Sequence, residues 1–358
     1  MEKVIVDLGS KSYPILIDNG LLDKLGYILK EHFAGNRILV VTDSHLSDLY
    51  SEEVMASLGE AGFNASLETI PAGEVSKSLR RAELVYNAAL EHGLDRKSAI
   101  LALGGGVVGD LAGFIAATYM RGIDFIQVPT SLLAQVDSSV GGKVAVNLDK
   151  AKNMVGAFYQ PRLVLIDPGA LRTLPAREFN EGLAEVIKYG IIRDEDFFCW
   201  LERNIRSLRQ DAGALIFAIK RSCEIKASIV AEDERESGLR MILNCGHTVA
   251  HALEAVLGYG NILHGEAVAL GLVIEAKIAL HRGLIDRITF SRIQGLVKSA
   301  VPMELPRDID ENLIIASMSY DKKNVDGKIT FVLPQGLGKA GIYTDVTREE
   351  ILSALVSA

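Results

Sequence analysis

The stretch SAILALGGGVVGDLAGFIAATYM, Ser98–Met120, decides the architecture of this chain. It begins as a short apolar run, passes through Gly104, Gly105 and Gly106, and continues as a helical segment. A strand, a tight turn and a helix therefore follow one another, and Gly104, Gly106 and Gly109 fall into the G-x-G-x-x-G pattern in the context it requires. Glycines let backbone approach a pyrophosphate, and a helix N-terminus offers unpaired N–H groups at the positive end of its dipole. The loop is nevertheless mid-domain rather than in the first βαβ unit. The residue about 20 positions on, Asp124, begins a strand instead of ending one. Asp43, at the end of RILVVTD (Arg37–Asp43), is the better ribose partner. This is a dinucleotide site of non-standard topology, or a phosphate site of another kind.

Outward from the loop the alternation continues. Val4–Leu8 and Tyr13–Ile17 read as an opening hairpin, and Leu79–His92 has helical periodicity. Arg37–Asp43, Ala65–Ile70, Asp124–Thr130 and Leu163–Pro168 read as strands. Continuous apolar runs separated by helices indicate parallel strands buried on both faces. From Glu178 to about His281 the period changes to three or four residues, and strand-like pieces return only at Ile329–Leu333 and Ala340–Tyr343. The segment DPGALRTLPAR, Asp167–Arg177, carries the prolines and glycine of a boundary. The expected fold is α/β plus mostly α. Residues 1–172 are expected to form a Rossmann-like dinucleotide-binding domain, and 173–358 a mostly helical one.

At 358 residues the chain exceeds what one core usually serves. With 46 acidic against 38 basic residues its net charge is −8, which argues against the basic face that nucleic acid requires. An anionic substrate must then meet a local basic cluster. Cys199, Cys223 and Cys245 are widely spaced and form no Cys-x-x-Cys pair, as expected of reduced cysteines in a cytoplasmic protein. No signal-peptide pattern opens the chain. The most apolar run, Ala267–Ile274, is bounded by Glu266 and Glu275 and is too short to span a bilayer. A soluble protein with neither membrane nor nucleic-acid partner is expected.

Of seven histidines, three fall within NCGHTVAHALEAVLGYGNILHGEA: His247, His251 and His264. Upstream, EGLAEVIKYG sets Glu181, Glu185 and Lys188 on another helix, the last two in an apolar stretch where an uncompensated charge is costly. Two imidazoles and a carboxylate with an open position suit a catalytic divalent ion. Spacing alone slightly favours His247 with His251, which share a helix face at i, i+4. Pairing His247 with His264 instead requires a chain reversal. Arg121, Lys143, Lys152 and Asn153 lie among glycines and hydroxyls between loop and boundary, and Lys226, Arg240, Lys322 and Lys323 stand in further sparsely charged contexts. Such donors are what phosphate and carboxylate recognition needs.

Taken together, GGGVVGD, YMRG, VPTSLLAQVDSSVGGK, KNMVGAFYQP, GLAEVIKYG, NCGHTVAHALE, LHGEAVALG and DKK, in this order along the whole chain, resemble the 3-dehydroquinate synthase family, sugar-phosphate cyclases of the shikimate pathway. The resemblance implies NAD bound between an α/β domain and a helical metal domain, with Glu185, His247 and His264 holding Zn2+ or Co2+. It implies that Asp137, Lys143, Lys152, Asn153, Lys188, Lys226, Arg240, Asn244, His251 and Lys323 line the substrate pocket, His251 near the phosphate. It assigns NAD to Asp43, Glu74, Lys77, Gly105, Gly106, Val107, Val108, Gly109, Asp110, Thr130, Ser131, Lys143, Lys152 and Thr173. Arg121 is expected to reach across a homodimer interface. Ser131 stands where many members have threonine, and Cys245 replaces a more usual apolar residue.

The implied substrate, 3-deoxy-D-arabino-heptulosonate 7-phosphate, carries both a phosphate and a carboxylate, which accounts for a basic cluster inside an acidic protein. The implied reaction is transient oxidation by NAD, β-elimination of phosphate, re-reduction and intramolecular aldol closure. Lys143 and Lys188 would stabilise developing oxyanions, and the substrate's own phosphate would take the proton. Rival readings are a cyclase acting on a carboxylate-free sugar phosphate, a metal-dependent polyol dehydrogenase of related fold, and a silent dinucleotide sensor.

Overall fold

The computed structural model describes residues 1–149, 151–258, 260–302, 305, 310–318 and 329–356. The chain divides into two compact units, Met1–Leu174 with Lys226–Glu234, and Pro175–Ile225 with Arg235–Ala358. The reading from sequence assigned Lys226–Glu234 to the second domain; these residues instead group with the first.

In the first unit, β1 (Glu2–Val6), β2 (Tyr13–Ile17), β3 (Arg37–Asp43), β4 (Asn64–Ile70), β5 (Ala99–Gly104), β6 (Asp124–Pro129) and β9 (Leu163–Ile166) build one sheet in the order β1-β2-β9-β6-β5-β3-β4. β1 runs antiparallel to β2, and every other neighbouring pair is parallel. Helices α1 (Leu25–His32), α2 (Glu52–Glu60), α3 (Leu79–Glu91) and α4 (Gly106–Thr118) cover it. The pleat of β3 sorts its side chains between two cores. Ile38 and Val40 pack with Leu25, Leu29, Val54 and Leu58 from α1 and α2. Leu39 and Val41 pack with Val85 and Ala89 from α3 and with Leu111 and Ile115 from α4. A strand covered on both faces has no polar side, which is why it reads as an unbroken apolar run.

The sequence reading named neither α1 nor α2, and it missed a hairpin. β7 (Lys143–Leu148) and β8 (Ala151–Phe158) form a separate antiparallel hairpin with an irregularity between Val146 and Leu148. Only Val144 and Val146 of β7 are buried, and glycines and lysine obscure that alternation.

The second unit holds α5 (Ala176–Arg193), α6 (Glu195–Asn204), the start of α7 (Ala212–Glu232), α8 (His247–Leu257), α9 (His264–His281), α10 (Arg287–Ala300), α11 (Glu311–Met318) and α12 (Arg348–Val356), with a hairpin of β10 (Phe331–Pro334) and β11 (Ala340–Tyr343). Gly265 to Ala276 of α9 are buried on every side, so the helix lacks a polar stripe. Two of its glycines admit neighbouring backbone. A Cβ on Gly265 would lie 2.0 Å from the Glu181 carbonyl oxygen of α5, and one on Gly271 would lie 1.9 Å from the Gly246 carbonyl at the start of α8. The helices α5, α8 and α9 thus meet main chain to main chain. Among the described residues, no helix is long and apolar enough to cross a membrane.

Candidate functional site

Each of those three helices contributes one side chain to a common point. Glu185 lies mid-way along α5 and is fully buried, while His247 and His264 are the first residues of α8 and α9. His247 Nε2 is 3.5 Å and His264 Nε2 3.9 Å from Glu185 Oε1. One ligand atom from each residue lies within 4.8 Å of the others. Both imidazoles engage their far nitrogen. His247 Nδ1 is 3.2 Å from the Cys245 carbonyl oxygen, and His264 Nδ1 is 3.4 Å from Glu254 Oε2. With Nδ1–H so engaged, the Nε2 lone pairs face the carboxylate, and the donor set fits a divalent ion such as zinc or cobalt.

The electrostatics agree with that fit. Burial opposes a charged His264 ring, yet Glu254, Glu185 and Glu181 outweigh it and hold its pKa above the usual imidazole value. Burial raises Glu181 to about 7, against the Gly265 N–H and His264. Glu254, Glu185 and Glu181 thus surround the His264 ring with groups that favour positive charge. His251, preferred by spacing alone, flanks the group with its ring centroid 6.3 Å from that of His264, and lies outside the ligand set.

Lys188 resolves the charge problem posed by an apolar α5: its ammonium forms an ion pair with Glu185 one turn away, both buried. Arg240 is 1% exposed. Asn244 Nδ2 donates to Glu236 Oε1 at 2.8 Å. Lys323 lies outside the described residues.

The remaining expected residues belong to the first unit. Gly105 is the N-cap of α4 and offers no side-chain cap, and among the described residues the first-turn N–H groups of Gly106, Val107 and Val108 make no hydrogen bond. A Cβ on Gly104 would strike Val108 at 2.5 Å, so the turn from β5 into α4 requires glycine there. Thr42 pairs with Leu103 and its hydroxyl donates to the Leu103 carbonyl at 2.9 Å, which sets Asp43 beside this turn at the end of the adjoining strand. Asp43 Oδ1 accepts from the His45 and Leu46 N–H groups, while Oδ2 makes no hydrogen bond among the described residues. That geometry fits a dinucleotide, with pyrophosphate at α4 and ribose at Asp43.

Around this turn, Thr130 is buried and its N–H donates to the Gly104 carbonyl at 3.1 Å. Ser131 Oγ accepts from the Ala134 N–H. Lys77 pairs with Asp110, the residue after Gly109. Burial raises the Asp110 pKa and Lys77 opposes it. Asn147 donates to Glu74 at 2.7 Å and accepts the Asn153 N–H at 2.9 Å. Asn153 itself has φ +55°, the left-handed region that asparagine enters more readily than other side-chain-bearing residues. Lys143 opens β7 and Lys152 lies in β8. Thr173 Oγ1 meets the Tyr50 hydroxyl at 2.6 Å. Lys226 donates to the Asp137 carboxylate and carbonyl, both at 2.7 Å, which places it in the first unit. Arg121 has φ +71°, is exposed, and has no hydrogen-bond partner among the described residues. Sequence reasoning missed Asn147, Glu254 and Glu275. Glu275 is fully buried and accepts the Gly246 N–H at 2.6 Å; its signal was its place within an apolar run.

Comparison with known proteins supplies the context. The N-terminal and C-terminal family profiles of 3-dehydroquinate synthase match residues 67–181 and 182–324. A 3-dehydroquinate synthase of Desulforamulus reducens is 54% identical, covering 99% of each chain. Among solved structures, 2-epi-5-epi-valiolone synthase of Streptomyces hygroscopicus subsp. jinggangensis, with NAD+ and Zn2+ bound, is similar with a TM-score of 0.89 at 30% identity over 96% of each chain. A 2-deoxy-scyllo-inosose synthase complexed with carbaglucose-6-phosphate, NAD+ and Co2+ is similar with a TM-score of 0.90 at 27% identity over 100% of each chain.

Proposed function

The chain belongs to the 3-dehydroquinate synthase family, and from that premise we propose that it converts 3-deoxy-D-arabino-heptulosonate 7-phosphate into 3-dehydroquinate and phosphate as an NAD- and divalent-metal-dependent phosphorus–oxygen lyase. The observation that carries the metal-dependent chemistry is the convergence of His247 and His264 Nε2 on the buried Glu185 carboxylate. A Zn2+ or Co2+ ion held there would polarise the hydroxyl that is oxidised, and NAD at the α4 turn would take up a hydride and return it.

The chain's own groups supply the rest. Lys188, buried against Glu185, is a fixed positive charge able to offset negative charge developing on a substrate oxygen. Lys226, aimed by its two bonds to Asp137, and the buried Arg240 are cations for a phosphate or carboxylate. Lys143, Lys152, Asn153, Asn244, His251 and Lys323 complete the proposed polar lining. Asp43, Glu74, Lys77, Asp110, Thr130, Ser131 and Thr173 serve the dinucleotide. Ring closure then requires correct positioning more than acid–base strength.

The enzyme works as a cytoplasmic homodimer on a small phosphorylated sugar acid, with no nucleic-acid or membrane partner. The exposed, positive-φ Arg121 supports a role in the neighbouring subunit's site. The test is incubation of the purified protein with the heptulosonate phosphate, catalytic NAD and zinc or cobalt, following phosphate and the NADH absorbance together. Stoichiometric phosphate without accumulating NADH is expected. Accumulating NADH without phosphate would make it a polyol dehydrogenase, and turnover only of a carboxylate-free sugar phosphate would reassign the substrate.

A further inference from the structure

A metal site is held by more than its ligands, and the two histidines here are held differently. His247 Nδ1 meets a main-chain carbonyl, that of Cys245, which no substitution can remove. His264 Nδ1 instead meets a side chain, the Glu254 carboxylate at 3.4 Å. Glu254 lies on α8 two turns beyond His247, and therefore on the same helix face. It is 6% exposed, a place where a carboxylate is costly unless a donor meets it. The helix that provides one imidazole directly thus reaches across to brace the other, which starts α9.

We propose that Glu254 is the positioning residue of the metal centre: its carboxylate accepts the His264 Nδ1–H, keeps Nε2 turned toward Glu185, and makes that ring a better donor without touching the ion. This inference rests on the metal reading of Glu185, His247 and His264. Without the carboxylate the His264 ring can rotate or take the other tautomer, and each bound ion must first restore the orientation. Loss of such a supporting partner typically weakens metal binding about 10–100-fold.

The experiment is zinc titration of the full-length apoprotein against a chromophoric chelator, with the rate of zinc release into excess chelator followed separately. Wild type, Glu254→Ala, Glu254→Gln and His264→Ala are compared, and circular dichroism and thermal unfolding of each apo form report folding. Expected is a loss of about 10–100-fold in affinity for Glu254→Ala, expressed mainly as faster release. Glu254→Gln should recover part of it, because the amide oxygen still accepts the Nδ1–H but carries no charge. Its near-identical shape also keeps the test open if the alanine variant does not fold. Zinc affinity within twofold of wild type for every Glu254 variant that folds would overturn the positioning role, even if its apo form melts lower. Failure of the metal reading itself would look different: wild type would bind no zinc, or His264→Ala would bind it as tightly as wild type.

Discussion

Lys77 and Asp110 are each tolerable in their surroundings only because the other is present. Burial raises the Asp110 pKa and the Lys77 ammonium opposes that rise. Lys77→Met should lower stability by about 2 kcal/mol in urea unfolding, because it leaves a largely buried carboxylate without its nearest cation. Adding Asp110→Asn should recover much of that loss; a double variant as weak as the single would sink the account. Gly265 offers a steric test. A Cβ there meets the Glu181 carbonyl oxygen at 2.0 Å, so Gly265→Ala should push α9 away from α5, cost about 2 kcal/mol and weaken zinc binding at least tenfold. Gly295→Ala, with nothing within 4 Å of the added carbon on an exposed helical face, should be neutral or slightly stabilising. At this scale Glu185 was legible because a carboxylate in an apolar helix demands a reason. Glu254 was not, since a glutamate after a histidine pair reads as surface until α9 folds back and brings His264 to it.

Among the elements, α9 is tied at its far end. Arg282, its C-cap, bonds both Glu350 carboxylate oxygens on α12, at 2.7 and 2.8 Å, and Asp345 at 2.9 Å. The Arg282 guanidinium is the main cause that holds the Glu350 pKa down at about 2. A carboxylate with a depressed folded-state pKa adds stability above its unfolded value, near 4.5, and loses it as pH falls through its folded one. The contribution, screened by solvent, is about 1 kcal/mol. Unfolding titrations from pH 5 to pH 2 should show this loss in the wild type and a flatter slope in Arg282→Leu. Strand β3 was read with its observed limits, because a doubly covered strand has only one pattern open to it. The β7–β8 hairpin was not, because burial on a single edge leaves two valines to mark it.

Metal binding and the proposed pairing of two copies give the predictions for the whole molecule. Zinc at 100 times its dissociation constant should raise the unfolding free energy by about 2.7 kcal/mol, an increment abolished by His247→Ala. If Arg121 acts in the neighbouring subunit, Arg121→Ala mixed with Lys188→Ala should regain activity that neither has alone. Random pairing makes half the dimers mixed, each with one complete site, so about a quarter of wild-type turnover is expected. A mixture as inactive as its parts would place Arg121 in its own subunit's site. The change of period near residue 175 made two units legible. The allegiance of Lys226–Glu234 was not, because helical periodicity does not say which sheet or loop a helix end serves, and here an ion pair to Asp137 does.

That allegiance bears on how such a chain can be inherited. A gene cut between the codons for Leu174 and Pro175 delivers an N-terminal fragment whose Asp137 has lost the ammonium that belongs to it, along with the other residues of Lys226–Glu234. A single crossover at the apparent border exchanges the dinucleotide-binding part without Lys226–Glu234. The donor must also bring the distant helix end, through two further crossovers, or the recipient must already match it. Where the recipient's own Lys226–Glu234 does not match, the N-terminal part and that helix end must be inherited together.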